Sequence, residues 1–206
     1  MENQPPLSSS RLVALHDQLT AAWHSGTPRV EEDLGEFERI VAEQHLTNFE
    51  LWHAEESARR RGIDDASLAA VKRLIDRTNL RRNDLAEDCD ATLLDRLRDR
   101  NLPNPEAELH SESPGLMIDR LSILSLKLFH TREEITRPCA LGHAERPRER
   151  LRILEEQRSD LTAAFDLFWR RVLNGQLCFK IYRQCKMYND PTLNPEACAG
   201  QSRTSP

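Results

Sequence analysis

Apolar residues return every three or four positions over most of this chain, a period that commits it to helices. Leu12, Leu15, Leu19, Ala22 and Trp23 make one such stripe, Val71, Leu74, Ile75, Thr78, Leu85, Cys89 and Leu93 another. Met117, Leu121, Leu124 and Leu128 make a third, and Leu151, Leu154, Leu161, Phe165, Trp169 and Val172 a fourth. Between them stand helix breakers: Gly26-Thr27-Pro28, Gly62, Pro103 with Pro105, Pro138 with Gly142 and Pro147, and Asn174-Gly175. The pattern predicts an all-α fold, a single-domain antiparallel bundle of five long helices, packed up and down, plus a short C-terminal helix. The bundle is expected over residues 10–195, between disordered tails at 1–9 and 196–206.

Caps sharpen several boundaries. Ser10 is placed to cap the first helix, and Asp64 or Asp65 the third, which runs from about 66 to 100. Ser113 followed by Pro114 opens the fourth, to about Thr136. Glu31-Glu32-Asp33 suits the positive end of the second, which ends near Gly62. The fifth is expected over about 148–173, and the window 178–195 as a short helix ended by Asn189-Asp190-Pro191 and Asn194-Pro195.

The second helix carries the most informative face. Leu34, Phe37, Val41, His45, Asn48, Trp52, Glu56 and Arg59 lie along one side of it, apolar at first and then polar. Buried polar atoms without hydrogen bonds are costly, so His45, Asn48 and Glu56 call for partners, and we read this face as the wall of a site. A second mixed stripe on the third helix, through Lys72, Asp76, Asn79, Asn83 and Asp90, fits a pocket lining as well as a solvated shoulder.

Composition excludes several function classes. The chain has 206 residues, enough for one sizeable core, with 31% charged and 5% aromatic residues. No apolar run approaches the ~20 residues of a transmembrane helix, and the N-terminus lacks a signal-peptide core, so neither membrane insertion nor export is expected. A formal charge of -5 gives no support for nucleic-acid binding. Five cysteines without a CxxC pair read as reduced thiols in the cytoplasm, not as a zinc site. Phosphate-binding and dinucleotide glycine motifs are absent, and Ser122 and Ser125 lie mid-helix without a nucleophile elbow.

Three stretches resemble a bacterial family known as domain of unknown function 4254. They are Gln44–Glu56, Ser111-Glu112-Ser113-Pro114-Gly115 with Met117–Leu124, and Phe179–Pro191 with its Lys-Met-Tyr-Asn-Asp-Pro ending. The resemblance covers about residues 12–195, with Leu116 standing where the family pattern has Ser. It implies a soluble helical protein of about this length and supplies no activity, cofactor or catalytic residue.

Two constellations carry chemistry. His45, His53, Glu56, Asp76, Asp119 and His130 come from different helices and are the candidates for acid–base or metal work. A divalent metal is compatible with these ligand types, but the spacing is not diagnostic. His53-x-x-Glu56 reverses the Glu-x-x-His of di-iron bundles, and there is no His-Glu-x-x-His. The second constellation is basic and aromatic. Only four of the 29 basic residues are lysines, and Lys180, Arg183 and Lys186 fall with Tyr182, Tyr188, Asn189 and Asp190 in one window. Arg120, Lys127 and Arg158, with Asn48, Trp52, Asn79, Asn83 and Glu112, complete a candidate pocket for a small anionic ligand. Phosphate-ester or pyrophosphate hydrolysis is the enzyme reading. The alternative is a non-catalytic interaction protein, in which the polar stretches fix helix register or face a partner.

Overall fold

The computed structural model describes residues 7–137 and 145–185. Five helices dominate: α1 (Ser9–Ser25), α2 (Glu36–Ala58), α3 (Asp65–Arg98), α4 (Pro114–Thr136) and α5 (Glu145–Leu173). None is long and apolar enough to cross a membrane. Among the described residues the fold is all-α but for one two-residue parallel pairing, β1 (Glu108–Leu109) on β2 (Leu177–Cys178).

Local chemistry sets the helix ends. Asp64 accepts from the Ser67 N–H at 2.9 Å, capping α3. Ser113 accepts from the Leu116 N–H, and Pro114 occupies the first turn of α4. Gly175, at φ 67°, closes α5 by donating its N–H to the Val172 carbonyl at 3.0 Å. The acidic run 31–33 precedes α2, which starts at Glu36.

The helix directions depart from a simple up-and-down bundle. Arg11 reaches Glu38, Thr20 meets His45, and the rings of His24 and His53 lie 5.4 Å apart. Positions along α1 and α2 therefore rise together, and the two helices run parallel. Residues 26–35 must return along the ~25 Å length of α1, which a ten-residue extended segment of up to ~33 Å can do. Trp23 pins this return by donating Nε1–H to the Arg29 carbonyl at 2.9 Å. The other directions follow from Arg82–Asp119 and Asp90–Gly115, which set α3 against α4, and from Arg132–Glu155 and Arg150–Glu134, which set α5 against α4. Helix periodicity fixes which face is buried but not the direction of the chain, so the sequence left this open.

The C-terminal helix expected over 178–195 is the second correction. Residues 177–178 form β2, 179–185 are irregular, and 186–195 lie outside the described residues. The partner strand β1 sits in the Pro-rich connection after α3 and is too short to show a period of two.

The main core joins Phe37, Val41, Leu93, Leu97, Leu121, Leu128, Phe165 and Val172. Gly115 allows α4 to touch α3, because a Cβ there would lie 2.0 Å from the Ala86 carbonyl oxygen.

Candidate functional site

The polar face of α2 meets polar faces on α1 and α4, and together they form a seam through the bundle. Asp119 is its charged centre. It accepts from Gln44 Nε2, from Asn48 Nδ2 at 3.0 Å, and from Arg82 through Nε at 2.8 Å and through Nη2. Asn48 Nδ2 also donates to Ser122 Oγ at 2.9 Å. Ser122 Oγ lies 2.7 Å from His45 Nδ1, and Thr20 Oγ1 lies 2.8 Å from His45 Nε2. One proton assignment satisfies this chain: Ser122 donates to Nδ1, and Nε2–H donates to Thr20. Gln44, His45 and Ser122 have no exposed surface. Burial holds the His45 pKa well below its ordinary value, assisted by His16, whose ring stacks on it at 4.6 Å. His16 is itself fully buried, with a pKa lowered by burial to about 3.

Toward the C-terminal ends of α1 and α2 the same helices build a second cluster. His24, His53 and His130 each place a ligand atom within 4.8 Å of those of the other two. Every ring has its Nδ1 occupied. His24 Nδ1 is 2.7 Å from the Thr20 carbonyl, four residues back on the same helix. His53 Nδ1 is 3.0 Å from Glu56 Oε2, and His130 Nδ1 is 3.1 Å from Glu133 Oε2, both three residues ahead. A carbonyl or a carboxylate accepts, so in the neutral ring Nδ1 carries the proton and Nε2 keeps its lone pair. The Nε2 atoms of His24 and His130 are buried without a partner. Leaving a buried acceptor unpaired costs about 1–3 kcal/mol.

Aromatic side chains fix these rings. Phe129 stacks on His24 with centroids 4.1 Å apart, Phe49 sets its edge or face against His24 and His53, and Trp52 lies parallel to His130 at 4.6 Å. Trp52 also donates Nε1–H to Glu56 Oε1 at 3.0 Å. Burial works to raise the Glu56 pKa, but the hydrogen bonds from Trp52 and His53 outweigh it and hold the carboxylate below its ordinary value. The His130 pKa is lowered, first by burial and then by His24 beside it.

Trp52, Glu56 and His130 form one wall of a cleft of about 450 Å³, completed by Lys127, Thr131, Glu134, Arg137, Arg150 and Leu154. Arg150 is paired with Glu134 at 3.0 Å. Among the described residues, Lys127 and Arg137 have no carboxylate partner. Trp52 and Glu56 also border a depression of about 350 Å³ that reaches Asn48, Arg59 and Arg82. Lys127 borders one of about 610 Å³ containing Glu112 and Arg120.

A family model described as Protein of unknown function (DUF4254) matches residues 38–181. The chain belongs to this family. The match begins inside α2, so α1, with His16 and His24, lies before it. Neither the curated proteins nor the solved structures searched contain a match.

In this member of the family, DUF4254, the residues singled out from sequence divide by where they lie. Glu56, His130, Trp52 and Lys127 line the cleft, and His53 adjoins it through its hydrogen bond to Glu56. His45, Asn48 and Asp119 belong to the seam. Others pair elsewhere: Asp76 with Lys72 at 2.8 Å on the outside of α3, Glu112 with Arg120 at 2.6 Å, and Arg158 with Asp17 at 2.8 Å as a tie from α5 to α1. Asn79 and Asn83 are half-buried on α3. Lys180, Tyr182 and Arg183 are exposed on the irregular segment after β2, so the shared helical side expected of them does not form. Lys186, Tyr188, Asn189 and Asp190 lie outside the described residues.

Sequence reasoning missed His24, His16, Thr20, Arg82 and Glu133. The apolar stripe of α1 placed Leu15, Leu19 and Ala22 inward, whereas the buried line runs Ser9, Leu12, His16, Thr20 and Trp23. The recurring step of three or four from Leu12 through His16 and Thr20 to Trp23 was the available signal.

Proposed function

We propose that the protein binds a small phosphorylated or otherwise anionic compound in the cleft between α2, α4 and α5, and hydrolyses it there. The carrying observation is that His130, Trp52 and Glu56 are shared between the histidine cluster and the wall of a cleft that also presents Lys127 and Arg137. Lys127 and Arg137 supply positive charge for the anion, Trp52 an apolar wall, and the imidazoles the reactive end. In the phosphate-ester case a water oxygen bonds to phosphorus and gives up a proton while the ester P–O bond breaks, and the departing ester oxygen takes up a proton. The substrate itself carries the polar groups that these cations lack.

A thermal-shift panel of inorganic phosphate, sugar phosphates and nucleotides tests this reading. A ligand at a hundred times its dissociation constant adds about 2.7 kcal/mol, a rise in midpoint of roughly 5–10 °C for a chain of this size. That rise should appear for one class of anion and disappear in Lys127→Ala. A flat panel would favour the interaction-protein reading, which the seam supports independently. Its groups bond mainly to one another, and so hold α1, α2, α3 and α4 in register.

A further inference from the structure

We propose that His24, His53 and His130 bind a single divalent transition-metal ion of the zinc class through their Nε2 atoms. Three features point the same way. The ligand atoms come from three helices yet all lie within 4.8 Å of one another. Each Nδ1 is held by a carbonyl or a carboxylate, the arrangement that orients metal-bound imidazole and keeps its other nitrogen basic. The nitrogens left over at His24 and His130 are buried acceptors with nothing to accept.

An aromatic box explains the packing of Phe49, Trp52 and Phe129 but not these orphaned acceptors. Rings packed for stability alone have no reason to turn one basic nitrogen each toward a common point. An ion supplies the missing partner for His24 and His130, with His53 as its third ligand. Charge agrees as well, because Glu56 and Glu133 behind two of the imidazoles together balance a divalent cation. Three neutral nitrogens suit zinc and its first-row neighbours and do not suit magnesium or calcium, which take oxygen ligands. A tetrahedral ion at ~2.1 Å sets its nitrogens ~3.4 Å apart, so the rings close slightly on binding. Three protein ligands leave a fourth position, the pattern of catalytic rather than structural zinc. Any catalytic task for the ion rests on the hydrolase reading above; the binding does not.

The full-length protein, stripped with chelator, should take up one equivalent of Zn²⁺ by titration calorimetry. His24→Gln, His53→Gln and His130→Gln should each weaken binding by roughly a hundredfold or more, and Glu133→Gln by roughly ten- to a hundredfold. His110→Gln should leave it unchanged. Circular dichroism checks that each variant is folded. The wild-type protein decides the matter even if a variant fails to fold. Loaded with Co²⁺, it should show the strong visible absorption of a four-coordinate ion and no thiolate charge-transfer band. No saturable one-to-one binding, weak six-coordinate absorption, a thiolate band, or unchanged affinity in folded His24→Gln would each overturn the proposal. Running the phosphate panel with chelator and with Zn²⁺ separates the two readings. Zinc binding with no anion response leaves the metal site standing and removes the hydrolase. An anion response without zinc binding does the reverse.

Discussion

Two polar clusters occupy α1, α2 and α4 within a few turns of each other, and they differ in how their hydrogen bonds close. In the seam, the Asp119 carboxylate is met by Arg82, Gln44 and Asn48, and both nitrogens of His45 have partners. At the other end, the three histidines use one nitrogen each for support and leave ligand atoms facing one another. The seam also has unpaired atoms, on His16 and at Gln44 Oε1, Asn48 Oδ1 and Ser125 Oγ. Among the described residues, however, only His24, His53 and His130 form a trio with metal-ligand spacing. The same residue types therefore serve structure in one place and suit a ligand in the other. Convergence of unpaired atoms separates the two, not residue identity.

The comparison can be broken most directly at Asp119. Asp119→Ala leaves the Arg82 guanidinium half-buried without its acid, and should cost about 3–5 kcal/mol in urea denaturation. An equal loss in His53→Gln measured without metal would erase the distinction, since the triad is expected to contribute little to the metal-free fold.

Acid gives the next largest effect. His16 falls from its ordinary 6.5 to about 3 on folding, and His45 shifts in the same direction. Below 6.5 the unfolded chain binds more protons at both histidines, so stability rises with pH; the His16 contribution is lost as pH falls from 6.5 towards 3, and His45 acts in the same direction. Asp90 opposes this. Burial raises its carboxyl from 3.8 to about 6, which favours the folded state at the acid end. Two histidines outweigh one aspartate, so the net limb should fall with acid. His16→Leu should flatten it and raise the unfolding free energy read from urea titration at neutral pH by about 1 kcal/mol, because it removes a buried ring with two unpaired nitrogens. A steeper limb in that variant would show His16 to be satisfied in solution.

The smallest expected change sharpens the contrast from outside. Asp76→Ala should alter stability by less than about 0.5 kcal/mol, as for most exposed ion pairs, and should leave both zinc and phosphate binding intact. Loss of either would bring α3 into the site.

How much was legible varied by element. The caps at Asp64 and Ser113 and the stop at Gly175 are local chemistry, and the sequence carried them. His53, Glu56 and His130 were legible as candidates because they sit beside Trp52 and on mixed stripes. His24 was not, because its neighbours Ala21, Ala22 and Ser25 show no pattern that asks for a histidine. Its importance comes from lying across from residues 29 and 106 positions later.

The sequence alone determined five helices, most of their ends, and the fact that α2 turns a polar face inward. Each depends on contacts within three or four residues, which a repeating pattern records. Tertiary structure alone decided that α1 runs parallel to α2, that residues 177–178 pair as a strand with 108–109, that Arg158 is spent on Asp17, and that three histidines meet. These depend on which helix lies beside which and in what direction, and helical periodicity reads the same whichever way the neighbouring helix runs.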